Sequence, residues 1–179
     1  MRTNMRIQVK CDLIAIVLTG ASSLILGTAS GTAADLAHAH TLPAQVMFGF
    51  ERVRLPDREV MGLLGTSYLV EFAPGWWAGP ALYGAATGKR GGLFTWGAEA
   101  NRQWRLNEKW IASAGLYMGG GGGANAPVGG GLMLRPHLDL MHDFGRFSAG
   151  IAASHVRFPS GEIQSSQLGL QVTMAQDFE

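Results

Sequence analysis

From about residue 44 onward, large apolar and polar residues alternate with a period of two. In 92–106, Phe94, Trp96, Ala98, Ala100 and Trp104 fall on one face of an extended chain, and Thr95, Glu99, Asn101, Gln103 and Arg105 on the other. In 130–143, Leu132, Leu134, Leu138 and Leu140 oppose Arg135, His137 and Asp139. Toward the end, Leu168, Leu170, Val172, Met174 and Phe178 oppose Gly169, Gln171, Thr173 and Asp177. Successive side chains of a strand leave opposite faces, so this alternation predicts β-structure. No segment of a dozen residues beyond residue 44 carries a helical apolar stripe. Clusters of Gly, Pro, Asn and Asp divide the region into eight expected strands: 44–54, 60–72, 76–86, 92–106, 109–119, 130–143, 146–158 and 163–175.

Alternation does not say which face is inside. A soluble barrel turns the apolar face inward, and a membrane barrel turns it outward. The connections discriminate. The second, fourth and sixth links (73–75, 107–108 and 143–146) are very short, whereas 55–59, 88–91, 120–129 and 159–162 are on the whole longer. Short turns at one end and longer loops at the other are expected of an outer-membrane barrel. Phe72, Trp76, Trp77, Trp104, Trp110, Phe144 and Phe147 border the short turns, and Phe178 nearly ends the chain. Such a ring of aromatics suits a lipid–water boundary. Tyr83, Phe94, Trp96 and Phe158 are expected to form a sparser belt at the other rim. Arg52, Arg54 and Arg102 fall on the apolar face but near strand ends, where their cost in a bilayer drops to about 1 kcal/mol or less. The fold expected for 44–179 is all-β, an eight-stranded antiparallel up-and-down transmembrane β-barrel.

The chain has 179 residues, 47% hydrophobic and 15% charged, with 26 glycines and one cysteine. That composition excludes a disordered tail and a disulfide-stapled mini-domain. Arg2, Arg6 and Lys10 precede an apolar run, 13–29, and small residues follow through Ala34, which is the layout of a signal peptide over 1–34. Residues 35–43 would then be an N-terminal periplasmic segment. Cys11 lies ahead of the apolar run, so the mature chain would carry no thiol for a disulfide, a thiolate metal site or a nucleophile. The net charge of +1 leaves no basic footprint for nucleic acid.

These features resemble the small eight-stranded outer-membrane barrels of Gram-negative bacteria. The resemblance implies residence in the outer membrane, contact with its lipid and lipopolysaccharide, folding by the barrel-assembly machinery, and a monomer. Glu179 follows Phe178, whereas the assembly signal of that group places the aromatic last. Within the group, the lipid A 3-O-deacylases carry a His-x-Ser-Asn-type motif on strand seven and a carboxylate on strand eight. The matching stretch here begins Ser154-His155-Val156-Arg157 and continues through Ser160 and Glu162. His155 matches, but Arg157 stands where the nucleophilic serine is expected. The resemblance therefore implies His155, Ser160 and Glu162 as the substitute catalytic set. Ser154, next to His155 on a strand, should point to the opposite face.

Glu51, Glu71, Glu99 and Asp139, with Arg105, Arg135 and Arg157 and with His137 and His155 nearby, are expected on the inner face as an ion-pair network that fills the lumen and leaves no open pore. The longer-loop rim carries Arg52, Arg54, Arg58, Lys89, Arg90 and Arg157 against Asp57, Glu59 and Glu162, an excess of cations suited to phosphate groups of lipopolysaccharide. Arg58, Lys89, Arg90 and Arg157 are the expected contacts, with Lys89-Arg90 at the most exposed turn. Gly119–Gly123 and Gly129–Gly131 lack the lysine and helix of a phosphate loop and read as a glycine-rich loop or as bendable strand ends. His38 and His40 have no companion ligands, so no metal or cofactor is expected. The leading functional expectation is a structural or surface-interaction barrel without turnover. A deacylase-like lipid hydrolase is the alternative, and a soluble periplasmic barrel for an apolar ligand is a third.

Overall fold

The computed structural model describes residues 42–89, 92–123 and 126–176, with Asp57 by its backbone alone. The expected signal peptide, most of the segment after it, Arg90 and Phe178 lie outside the described residues. Eight strands follow in order: β1 (Ala44–Arg54), β2 (Val60–Ala73), β3 (Trp76–Thr87), β4 (Phe94–Arg105), β5 (Trp110–Gly122), β6 (Leu132–Asp143), β7 (Phe147–Arg157) and β8 (Gln164–Gln176). Each pairs antiparallel with the next, and β8 pairs with β1, so the sheet closes as an up-and-down barrel. The strands match the sequence expectation closely. The largest difference is at β5, which continues to Gly122 because Gly119–Gly122 pair with Phe94–Gly97 of β4.

The apolar face is outside. Trp96 is 70% exposed, Leu168 70% and Leu138 63%, while Glu99 and Arg135 are buried in the lumen. A soluble barrel for an apolar ligand would need the reverse. Phe72, Trp76, Trp104, Trp110, Phe144 and Phe147 are exposed around the short-turn end, as expected. Trp77 departs from that ring: it stands opposite Asn101, which is buried in the lumen, and so shares the inner face. The second belt is also corrected. Phe94 and Trp96 are exposed, but Tyr83 and Phe158 are buried inside.

Arg102 shows how the outer wall holds a cation. Its guanidinium lies 5.4 Å from the Trp76 ring and 6.0 Å from the Trp104 ring, and it donates to the Pro74 carbonyl oxygen. Aromatic faces and a turn carbonyl thus replace water at the belt.

Two prolines interrupt the wall. Pro80 of β3 and Pro136 of β6 have no N–H to give a ladder. The β2–β3 pairing skips from Ser67↔Ala81 to Val70↔Ala78, and the β6–β7 pairing from Leu134↔Arg157 to His137↔Ser154. Each gap opens a shallow outward depression, one lined by Tyr68, Pro80, Leu82 and Trp96, the other by Pro136, Leu138, Ala153 and His155.

The lumen is layered. At the loop end Val53, Met61, Leu63, Tyr83, Met133 and Val156 form an apolar cluster, and every long loop adds to it: Leu55, Leu93, Val128, and the pair Phe158 and Ile163. Polar residues occupy the middle. Toward the short turns, Asn101 Nδ2 lies 3.6 Å from Met47 Sδ and Thr173 Oγ1 3.5 Å from Met141 Sδ.

At the β2–β3 turn Gly75 has φ +71°, and a Cβ there would lie 2.8 Å from the Gln103 carbonyl oxygen. A side chain in the left-handed region costs about 1–2 kcal/mol. Gly75→Ala is therefore expected to destabilise the barrel by at least about that amount, read from urea unfolding in lipid vesicles; an unchanged midpoint would contradict the turn geometry.

Candidate functional site

Alternation places Glu51, Tyr83, Glu99, Ser113, Arg135, His137, Asp139, Ser154 and Gln171 on the inner faces of their strands, and closure of the sheet brings them into one buried network. Arg135 is its hub. Its Nε donates to Glu51 Oε1 at 2.9 Å and its Nη2 to Glu51 Oε2 at 3.2 Å, the two-pronged geometry that suits a guanidinium to a carboxylate. Its Nη1 donates to the Tyr83 hydroxyl at 3.1 Å, and the guanidinium lies 5.0 Å from the Tyr83 ring. Tyr83 in turn donates to Glu99 Oε2 at 2.9 Å. Glu51 also accepts from the Ser154 hydroxyl, which itself accepts from Gln167 Nε2 at 2.9 Å.

A second limb centres on His137. Its Nδ1 is 2.9 Å from Asp139 Oδ2 and its Nε2 is 3.4 Å from Glu99 Oε1, so the imidazole bridges two carboxylates. Asp139 accepts from Ser113 Oγ at 2.6 Å and from Gln171 Nε2 at 3.4 Å. Small residues opposite make room for these side chains: a Cβ at Gly115 would stand 2.4 Å from His137 Nε2, and one at Gly65 would stand 2.2 Å from the Tyr83 ring. Each carboxylate has a cationic or imidazole neighbour, the condition under which charge survives out of water.

Of the expected interior residues, the barrel gathers Glu51, Glu99, Arg135, His137 and Asp139. Arg105 is not among them. It ends β4 at the short-turn rim, more than half exposed, and pairs there with Asp143 at 3.1 Å. Glu71 is on the inner face but at the short-turn end, where it accepts from the Gly75 N–H. His155 and Arg157 flank the fully buried Val156, so both point outward and neither belongs to the lumen. Tyr83 and Ser154 were missed as network members. Tyr83 on β3 and Ser154 on β7 both lie on Ala- and Gly-rich strands whose facing the sequence leaves open.

The expected catalytic residues do not converge. No hydrogen bond joins His155 to Ser160 or Glu162 among the described residues. His155 Nδ1 instead lies 2.7 Å from Ser166 Oγ, its cross-strand neighbour on β8. Ser160 Oγ accepts from the Gly130 N–H at 2.8 Å, and the Glu162 N–H donates to the Pro127 carbonyl oxygen at 2.9 Å, so both hold loops together. Of the expected phosphate-contacting cations, Arg58, Lys89 and Arg157 lie at the loop end. Arg58 is exposed in a short 3-10 turn at φ +61°, Lys89 is exposed, and Arg157 ends β7 facing outward.

Leaving a buried partner uncompensated costs about 3–5 kcal/mol, whereas replacing both ions by apolar groups is often neutral. Arg135→Met alone should therefore lower stability by about 3–5 kcal/mol, and adding Glu51→Leu should restore much of it. Equal losses in the single and double variants, measured by urea unfolding in vesicles, would show that the two residues are not coupled.

No protein-family model matches the chain, and no curated protein matches it. Among solved structures it is similar to the outer membrane protein Ail of Yersinia pestis, determined in a phospholipid bilayer nanodisc. The likeness covers 75% of this chain and 99% of that one, at 12% sequence identity and a TM-score of 0.47.

Proposed function

We propose that the chain is a bacterial outer-membrane barrel with a structural or surface-interaction role, exported by its N-terminal signal, inserted by the barrel-assembly machinery and working as a monomer. The observation that carries this reading is the inverted wall, with Leu138, Ile151, Leu168 and Leu170 exposed around a lumen that holds a paired charge network. Only a hydrocarbon solvent makes that arrangement favourable over the whole circumference. The filled lumen supports a barrel without an open pore, since the apolar cluster and the charge network follow one another along its axis. At the loop end, Arg58, Lys89 and Arg157 supply cations for lipopolysaccharide phosphates, and Arg90, next to Lys89 in sequence, is expected to join them.

Spin labels at Leu138→Cys and Ile151→Cys in proteoliposomes should collide with dissolved oxygen far more than with a water-soluble nickel chelate. The native barrel should need detergent for extraction and migrate differently before and after boiling. Release by osmotic shock, or labels that favour the chelate, would refute the membrane reading.

A second reading rests on the 2.7 Å contact between His155 and Ser166. In it, a deacylase-like acyl-ester hydrolase uses Ser166 Oγ as nucleophile and His155 as base, in place of the expected Ser160. Among the described residues no carboxylate orients the imidazole, which weighs toward the first reading. Mass spectrometry of lipid A from cells with and without expression separates the two. Unchanged lipid A is expected from a barrel without turnover, whereas loss of one acyl chain that disappears with Ser166→Ala would establish the hydrolase.

A further inference from the structure

The apolar pattern of the outer wall breaks where β1 and β8 approach the loop end. Where β1 and β8 run side by side, Phe48, Phe50, Leu168 and Leu170 are exposed in the usual way. Toward the loop end the same two strands carry Arg52, Arg54 and Ser166, all exposed. Continuing the β1–β8 register places Arg52 beside Leu168 and Arg54 beside Ser166. Arg52, Arg54, Val60, Ser166 and Leu168 line a single outward groove. On the far side of β8, His155 stands opposite Ser166.

These two cations differ from Arg102, Arg105 and Arg135. Arg102 has two indole faces and a carbonyl oxygen, Arg105 has Asp143, and Arg135 has Glu51. Among the described residues no carboxylate pairs with Arg52 or Arg54, and neither guanidinium donates to a protein acceptor. Two neighbouring guanidiniums of like charge repel, and near hydrocarbon they have little water to relieve it. The groove is also mixed in chemistry: Val60 lies level with Arg54 and Leu168 beside Arg52, and the exposed apolar side chains of Phe50 and Leu170 follow toward the short-turn end.

We infer that this groove is a lateral binding site for a membrane lipid with a phosphate-bearing headgroup. Arg52 and Arg54 hold the phosphate, the Ser166–His155 pair supplies further polar contact, and the acyl chains descend along Leu168, Leu170 and Phe50. A phosphate complements two unpartnered guanidiniums in charge and in hydrogen-bond geometry. Its attached chains match the wall beneath. The inference rests on the outer-membrane reading and sharpens the lipopolysaccharide contact expected of the rim, placing it on the wall of β1 and β8 without Arg58, Lys89 or Arg90.

The test uses the full barrel in phosphatidylcholine nanodiscs doped with bis-phosphorylated lipid A, its dephosphorylated counterpart, or inorganic phosphate alone, with bound lipid counted by native mass spectrometry. The wild-type barrel should retain the phosphorylated lipid. Arg52→Gln/Arg54→Gln should weaken retention at least about tenfold. Arg105→Gln, at the opposite rim, should not change it. Equal retention by the Arg52→Gln/Arg54→Gln variant and wild type, equal retention of the dephosphorylated lipid, or full displacement by inorganic phosphate would each overturn the inference. Should that variant fail to fold, a headgroup-photoreactive lipid A on the wild-type barrel decides: cross-links at 52–54 and 166–168 support the site, and cross-links confined to 88–93 refute it. A barrel that inserts into nanodiscs yet shows no phosphate preference would sink this inference alone, whereas failure to insert would sink the membrane reading beneath it.

Discussion

A sheet of eight strands closes on a lumen barely wider than the side chains that line it, so whatever points inward must be satisfied by whatever else points inward. That confinement governs the interior. Arg135 reaches Glu51 from the opposite side of the ring with both prongs, and its third donor meets Tyr83. Glu99 receives Tyr83 on one oxygen and faces His137 with the other. Such charges would be ruinous singly and are tolerable together. The glycines at 65 and 115 follow from the same shortage of space, since a Cβ at either would strike a ring of the network.

The outer surface answers to a different solvent. Against hydrocarbon the wall gains nothing from polar groups, and each cation on it needs a local remedy. Arg102 finds one in Trp76, Trp104 and the Pro74 carbonyl at the aromatic ring. Arg52 and Arg54 find none within the described protein, and they stand near the loop end, where the membrane boundary would lie. Arg102 is thus accommodated by the chain itself, whereas Arg52 and Arg54 are left open to a group from outside it.

Period-two alternation made strands β4, β6 and β8 legible with their facing, because large apolar residues there mostly alternate with polar or small ones, Arg102 of β4 being an exception. The facing of the Ala- and Gly-rich strands β3, β5 and β7 was not, since small residues tolerate either side. That is why Tyr83 and Trp77 were assigned to the outer belts and why Ser154 was overlooked as a partner of Glu51. Arg105 and Arg157 were misplaced for another reason. Parity set Arg105 on the inner face correctly, but at a strand end a long side chain reaches out to water and Asp143. Arg157 shares parity with His155, and the buried Val156 between them settles both outward. The pairing of His155 with Ser166 depends on the β7–β8 register, and register is not written in either strand alone.

The apolar cluster at the loop end belongs to neither the expected polar lumen nor the lipid-facing wall, and its cause is water. Where the wall ends, loops return to aqueous solvent, and Leu55, Leu93, Val128, Phe158 and Ile163 can be buried only by folding into the mouth. The driving force there is the hydrophobic effect of an ordinary soluble core, which hydrocarbon cannot supply along the wall. One molecule thus uses both rules: polar inside where its surroundings are apolar, and apolar inside where its surroundings are wet. Because each long loop drops at least one such anchor into the mouth, the strand ends that carry Arg54 and Arg157 are held from within. Cations presented from a clamped rim lose less conformational freedom on meeting a phosphate than cations on free loops would, and so the soluble-type core at the mouth and the open guanidiniums on the adjoining wall are parts of one arrangement.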